Sequence, residues 1–191
     1  SFALAVCEPY SSGIGGGGFL VIYDAATGLS RALDARETAP AAAYRDMYLH
    51  RGRADADLSQ FGPLSVAVPG LVLGLWETHQ QGGSLRWSEI VEPARVLAEQ
   101  GITVSPMLRE RIQNTESRFN PAARKIFLPQ GRIPEVGDTL VQRDLARTLE
   151  AIRDQGPSAF YSGPVAASLA ATAAAGGLGL ALDDLASYRP V

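Results

Sequence analysis

An α+β fold is what the residue pattern specifies: a β-hairpin close to the start of the chain, then mostly helix. Phe19-Leu-Val-Ile-Tyr-Asp24 and Leu29-Ser-Arg-Ala-Leu-Asp34 are strand-like runs. They are joined by Ala25-Ala-Thr-Gly28, whose glycine suits a positive φ in a hairpin turn. From Pro40 onward, apolar residues recur at helical rather than alternating spacing. With 46% hydrophobic and 19% charged residues, the 191-residue chain has the balance of a globular protein with one sizeable core.

Ser1-Phe-Ala-Leu-Ala-Val6 opens like the last turns of an apolar helix, without a cap or an initiating Met. No basic region precedes it, so no signal peptide is visible. Tyr188-Arg-Pro-Val191 breaks off as a new segment begins. The expectation is a piece of a larger chain. The Phe19–Asp24 strand is apolar on both faces, which predicts cover on both sides.

Val68-Pro69-Gly70 leads into a helix with Leu71, Leu75 and Trp76, stopping near Gln81-Gly82-Gly83. A second helix opens at Trp87-Ser88-Glu89, carries Ile90, Ala94, Leu97 and Ala98 on one stripe, and ends at Gly101. Ser105-Pro106 starts a third, with Pro in the first turn. A fourth is expected over Asp138 to Gln155, from Leu140, Leu145, Leu149 and Ile152, with Gly156-Pro157 as its stop. An Ala-rich helix after Pro164 runs to Gly176-Gly177, and Leu182 to Tyr188 reads as one more short helix. Residues 1–40 therefore hold a glycine loop and the hairpin, and residues 41–191 are mainly helical. Together they read as one incomplete domain.

A formal net charge of −3 with scattered basic residues argues against nucleic acid as a partner. The apolar stretches near Val66–Trp76 and after Val165 are too interrupted for a membrane span. Cys7 is the only cysteine, so an intrachain disulfide and a CxxC metal motif are excluded, and it reads as a small buried hydrophobe. His50 and His79 lie far apart among ordinary polar residues, which points to no metal site. No cofactor is implied. Asp183-Asp184 reads as a helix cap, and Trp76 and Trp87 as packing residues.

Ser11-Ser-Gly-Ile-Gly-Gly-Gly-Gly-Phe19 is the most unusual stretch. Gly13, Gly15 and Gly18 satisfy G-x-G-x-x-G, but a helix end precedes them and a strand follows, the reverse of a dinucleotide site. These glycines let the backbone enter a sheet where no side chain fits or adopt φ values closed to other residues, and the same bare backbone could approach a substrate or a catalytic centre closely; the two readings are compatible, and the spacing does not choose between them.

At this point a resemblance becomes specific. Glu8-Pro9-Tyr10-Ser11-Ser12-Gly13-Ile14-Gly15-Gly16-Gly17-Gly18-Phe19 resembles the signature near the start of the large subunit of gamma-glutamyltranspeptidases, where His commonly stands in place of Tyr10. The likeness continues through Asp34-Ala-Arg-Glu-Thr-Ala-Pro40, Ala67-Val-Pro-Gly-Leu71, Gln142-Arg-Asp-Leu-Ala-Arg-Thr-Leu149, Phe160-Tyr161, Asp183-Asp-Leu185 and Tyr188, in order along essentially the whole chain. It implies a partial N-terminal-nucleophile hydrolase fold, an αββα sandwich made as a zymogen that cleaves itself into large and small subunits. The new N-terminal Thr of the small subunit forms an acyl-enzyme with γ-glutamyl compounds such as glutathione, and its own α-amine serves as base. Water or an amino-acid amine then takes the glutamyl group.

None of the chain's threonines sits in the family's Thr-x-His context, so no catalytic residue carries over, and this chain alone is expected to be inactive. Arg36 does carry over, as the arginine that grips the α-carboxylate of the glutamyl group; a planar guanidinium holds a carboxylate through two parallel charge-assisted bonds. The expected partners are glutathione or other γ-glutamyl compounds and the small subunit, and bacterial relatives favour a periplasmic or secreted location. On the same scaffold the alternatives are a cephalosporin or glutaryl acylase, a poly-γ-glutamate-cleaving enzyme, or a non-catalytic binding protein. Arg36 favours a substrate that has an α-carboxylate.

Overall fold

A computed structural model describes residues 1–177 and 179–191. In chain order the elements begin with α1 (Phe2–Cys7), β1 (Gly18–Asp24), β2 (Leu29–Ala35), β3 (Leu49–His50), β4 (Arg53–Ala54), α2 (Ala56–Gln60) and α3 (Leu71–Gly82). There follow α4 (Trp87–Gln100), β5 (Ile102–Thr103), α5 (Pro106–Thr115), α6 (Pro121–Phe127), β6 (Thr139–Leu140) and α7 (Arg143–Gln155). The last are α8 (Ser158–Tyr161), α9 (Pro164–Ala175) and α10 (Leu182–Ser187). The chain is thus mixed helix and sheet, about 52% helical. It divides into two compact units: Ser1–Gly13 with Leu85–Asp154, and Ile14–Ser84 with Gln155–Val191.

In the first unit α1 packs on α4, with the Phe2 ring edge-on to Trp87 at 5.5 Å. Val6, Val91, Leu149 and Ile152 are fully buried around them. Burial leaves polar atoms needing partners. Trp87 Nε1 donates to Ile152 O at 2.9 Å, and the buried Gln142 donates through Nε2 to Val6 O at 2.8 Å. Ser105 caps α5 by accepting from Leu108 N at 3.1 Å, as the Ser-Pro pair predicts. The helix expected from Asp138 begins only at Arg143. Leu140 belongs instead to β6, where it pairs with Ile102 and is buried, so a long-range partner overrides its local helical spacing. Cys7 is half-buried rather than buried.

The second unit is built on the β1–β2 hairpin, antiparallel from Gly18↔Ala35 to Asp24↔Leu29. Gly28 turns the chain with φ 71°, and Asp24 holds the loop by accepting from Ala26 N and Thr27 Oγ1, both at 2.9 Å. α3 lies on one face of this hairpin, so close at Gly74 that any Cβ there would strike the Ala35 side chain. On the other face, no described element of this chain supplies the cover expected on both sides. Phe19, Val21 and Tyr23 are 66%, 77% and 67% exposed, because no described element lies over them.

Asp184 caps α10 by accepting from Ala181 N at 2.8 Å, in keeping with the cap reading of the Asp pair. Trp87 is buried and Trp76 half-buried, the latter against Gly156 where that glycine ends α7 with φ 66°. No described helix is long and apolar enough to cross a membrane.

Candidate functional site

Arg36 sits where β2 ends, and its backbone is fixed from four sides within one compact unit. Its N–H donates to Asp34 Oδ1 at 2.9 Å, which turns the chain out of the strand. Its carbonyl accepts from Tyr188 Oη at 2.9 Å. Two residues on, Thr38 and Val68 exchange two backbone hydrogen bonds, N–H to O distances being 3.2 and 2.8 Å. On the fourth side lies the glycine run. A Cβ at Gly17 would fall 2.5 Å from Ala35 O, 2.8 Å from Arg36 Cα and 2.8 Å from Glu37 N, so only glycine fits.

At Gly17 the run meets backbone where no side chain fits. None of Gly15, Gly17 and Gly18 has a positive φ, and close approach at Gly17 is the physical requirement. The same loop is tied to the start of α3, because Gly16 O accepts from Gly70 N at 3.0 Å and from Leu71 N at 2.9 Å. α1 before the run and β1 after it rule out the dinucleotide geometry.

The side chain differs from its backbone in being accessible. The Arg36 side chain is 60% exposed, with its guanidinium carbon 5.7 Å from the Phe19 ring centroid and Nε donating to Glu37 Oε2 at 3.2 Å. Nη1 and Nη2 make no hydrogen bond to a described residue, so the outer edge of the fork remains available for a planar anion. A rigid backbone that presents an open guanidinium is suited to holding a carboxylate.

His50 is exposed on β3 and His79 half-buried on α3, and no cluster of three or more His, Cys, Asp or Glu side chains able to hold a metal occurs among the described residues. Two supporting residues escaped sequence reasoning about the site. Tyr188 and Tyr161 stack at 5.9 Å with planes 11° apart, and Tyr161 Oη donates to Pro69 O at 2.9 Å while accepting from Leu73 N at 3.3 Å. Burial pushes both phenols up from the ordinary tyrosine value; for Tyr188 the charges of Asp34, Glu37 and Glu77 act in the same direction. The phenols therefore stay protonated donors through neutral and mildly alkaline pH.

Comparison with known proteins extends over the whole chain. A sequence profile of the gamma-glutamyltranspeptidase family matches residues 1–191. The chain belongs to that family. Among curated relatives, glutathione hydrolase 3 of Arabidopsis thaliana is 38% identical over 191 residues, covering 99% of this chain and 29% of the relative. The glutathione hydrolase proenzyme of Bacillus subtilis is also 38% identical, covering 98% and 32%. The crystal structure of Helicobacter pylori gamma-glutamyltranspeptidase superposes with a TM-score of 0.96 at 37% identity, over 100% of this chain and 55% of that one. The chain thus spans about a third of the length of the curated gamma-glutamyltranspeptidase relatives it matches.

Proposed function

We propose that residues 1–191 are the substrate-gripping part of a γ-glutamyltransferase/glutathione hydrolase, with Arg36 holding the α-carboxylate of the γ-glutamyl donor. In this reading the chain is one incomplete domain of an αββα sandwich. A small subunit from the same precursor completes it, supplying the N-terminal Thr that attacks the γ-carbonyl and covering the bare Phe19, Val21 and Tyr23 face of the hairpin. An apolar row of that kind is a surface that a partner covers. The names of the relatives, glutathione hydrolase and its proenzyme, support the substrate class and the zymogen.

The observation that carries the reading is Arg36, a guanidinium with a locked backbone, one nitrogen held by Glu37 and an open outer edge. The test is Arg36→Lys in the full-length precursor. Lysine keeps the charge but loses the fork, so one of two charge-assisted bonds is lost, costing about 1–3 kcal/mol. That corresponds to roughly 5- to 150-fold in kcat/KM on glutathione, with precursor cleavage intact. Wild-type kcat/KM in the lysine variant refutes the role given to Arg36.

A further inference from the structure

We infer that Tyr188 is a positioning residue for donor binding, setting the Arg36 guanidinium through the hydrogen bond from its hydroxyl to the Arg36 carbonyl. The inference rests on the proposed role of Arg36 and adds to it a residue that touches no substrate.

The geometry is specific. Tyr188 is 5% exposed, and its hydroxyl lies 2.9 Å from Arg36 O. It cannot slide away from that carbonyl. On one side its ring stacks on Tyr161, whose own hydroxyl is committed to Pro69 O and Leu73 N. Beneath it lies Gly70, where any Cβ would run into the Tyr188 hydroxyl and Ala35 O. Three residues further along the chain, Val191 and Asp34 exchange backbone hydrogen bonds, N–H to O distances being 2.9 and 2.6 Å. The segment bearing Tyr188 is therefore zipped beside the end of β2, and the hydroxyl is the contact that reaches the functional residue. Without it the Arg36 carbonyl loses its donor, and the peptide unit that follows Arg36 can rotate. The guanidinium then samples orientations in which its outer edge does not meet a carboxylate squarely.

A residue acting this way should change KM more than kcat, because it acts on a grip and not on a reacting atom. Tyr188→Phe in the full-length precursor is expected to cleave normally and to raise KM for a chromogenic γ-glutamyl anilide by about 5- to 20-fold, the lower part of the range that stripping a buried acceptor of its donor gives, with kcat within about 2-fold. Because the effect runs through Arg36, it should vanish in an Arg36→Ala background, where Tyr188→Phe adds less than about 2-fold. Tyr48→Phe is the control: it deletes a hydroxyl bonded to a backbone carbonyl of the same unit, Leu64 O at 3.2 Å, and should leave KM unchanged.

If Tyr188→Phe does not mature, a more acidic ring-fluorinated tyrosine at 188 keeps the ring and the hydroxyl. Its KM should rise with pH as the phenol loses the proton it donates, and the natural enzyme should show no such rise over the same range. An unchanged KM in a folded Tyr188→Phe enzyme, a loss fully additive with Arg36→Ala, or a KM for the fluorinated enzyme that stays flat across the pH range where its phenol is seen to ionise by absorbance overturns the role of Tyr188 while leaving Arg36 untouched. Failure of the Arg36 reading itself shows separately, as wild-type kinetics in Arg36→Lys.

Discussion

Gly17 can be used to test the contact between the glycine run and Arg36. Replacing it with Ala places a Cβ 2.5–2.8 Å from three backbone atoms of Ala35, Arg36 and Glu37. Ordinary van der Waals contact begins near 3.4 Å, so the Cβ is about 0.6–0.9 Å too close on that side. The obstacles are backbone and cannot rotate away, so either the loop or the end of β2 must move. Overpacking of this kind costs about 1–3 kcal/mol. Restricting the unfolded chain returns about 0.4–1 kcal/mol. The net is a loss of about 1–2 kcal/mol. Gly15 and Gly18 have open space where a Cβ would go, so Ala at either should be neutral or slightly stabilising. Urea denaturation of the full-length protein and its alanine variants at 15, 17 and 18 measures the stability difference. KM for a γ-glutamyl anilide reports whether Arg36 has moved, and only Gly17→Ala should raise it. Three indistinguishable variants refute the claim that Gly17 is held against Arg36.

Trp87→Phe should destabilise the intact protein by about 1–3 kcal/mol in urea titration, since it strips Ile152 O of the buried indole donor; a loss below about 0.5 kcal/mol removes that hydrogen bond from the account. Glu92 is held at about 2, against an ordinary value of 4.5, by Arg95 first and then Arg153. A depressed carboxylate contributes stability that is present above its unfolded value and is lost as pH falls from about 4.5 toward 2. The stability difference between Glu92→Gln and wild type should therefore shrink across that window, and a constant difference speaks against the ion pairs as its source. Residues 1–191 produced alone should bind ANS and self-associate through the exposed Phe19, Val21 and Tyr23 row; a monodisperse monomer by light scattering without dye enhancement counts against that face as an interface.

Features set by nearby residues were legible in the sequence. Gly28 closing the hairpin, Ser105 capping α5, and Gly101 and Gly156 ending their helices each depend on one residue's backbone preference or one short-range hydrogen bond. Features set at a distance were not. Leu140 has helical spacing to Leu145 and Leu149, and only pairing with Ile102 makes it strand. The apolar residues on both faces of β1 were legible, but not what lies over Phe19, Val21 and Tyr23, because no described element of this chain covers them. At the site, the role proposed for Arg36 comes from the family motif around it. Tyr188 was visible as part of the same resemblance, but its hydroxyl acts on a carbonyl 152 residues away, which no local pattern encodes.

That separation also bears on when the site can form. The hairpin closes through a short turn and can form early, whereas the donor to Arg36 O must arrive across a loop of 152 residues. Closing so long a loop has an entropic cost that only late, cooperative contacts offset, which slows such pairings relative to local ones. During synthesis, Arg36 leaves the ribosome long before Tyr188 exists, so a nascent chain can carry a finished hairpin with an unset arginine. The hydrogen bond to the Arg36 carbonyl is then tied to completion of this stretch of chain, and a product stalled or cut before Tyr188 would leave that carbonyl without this donor.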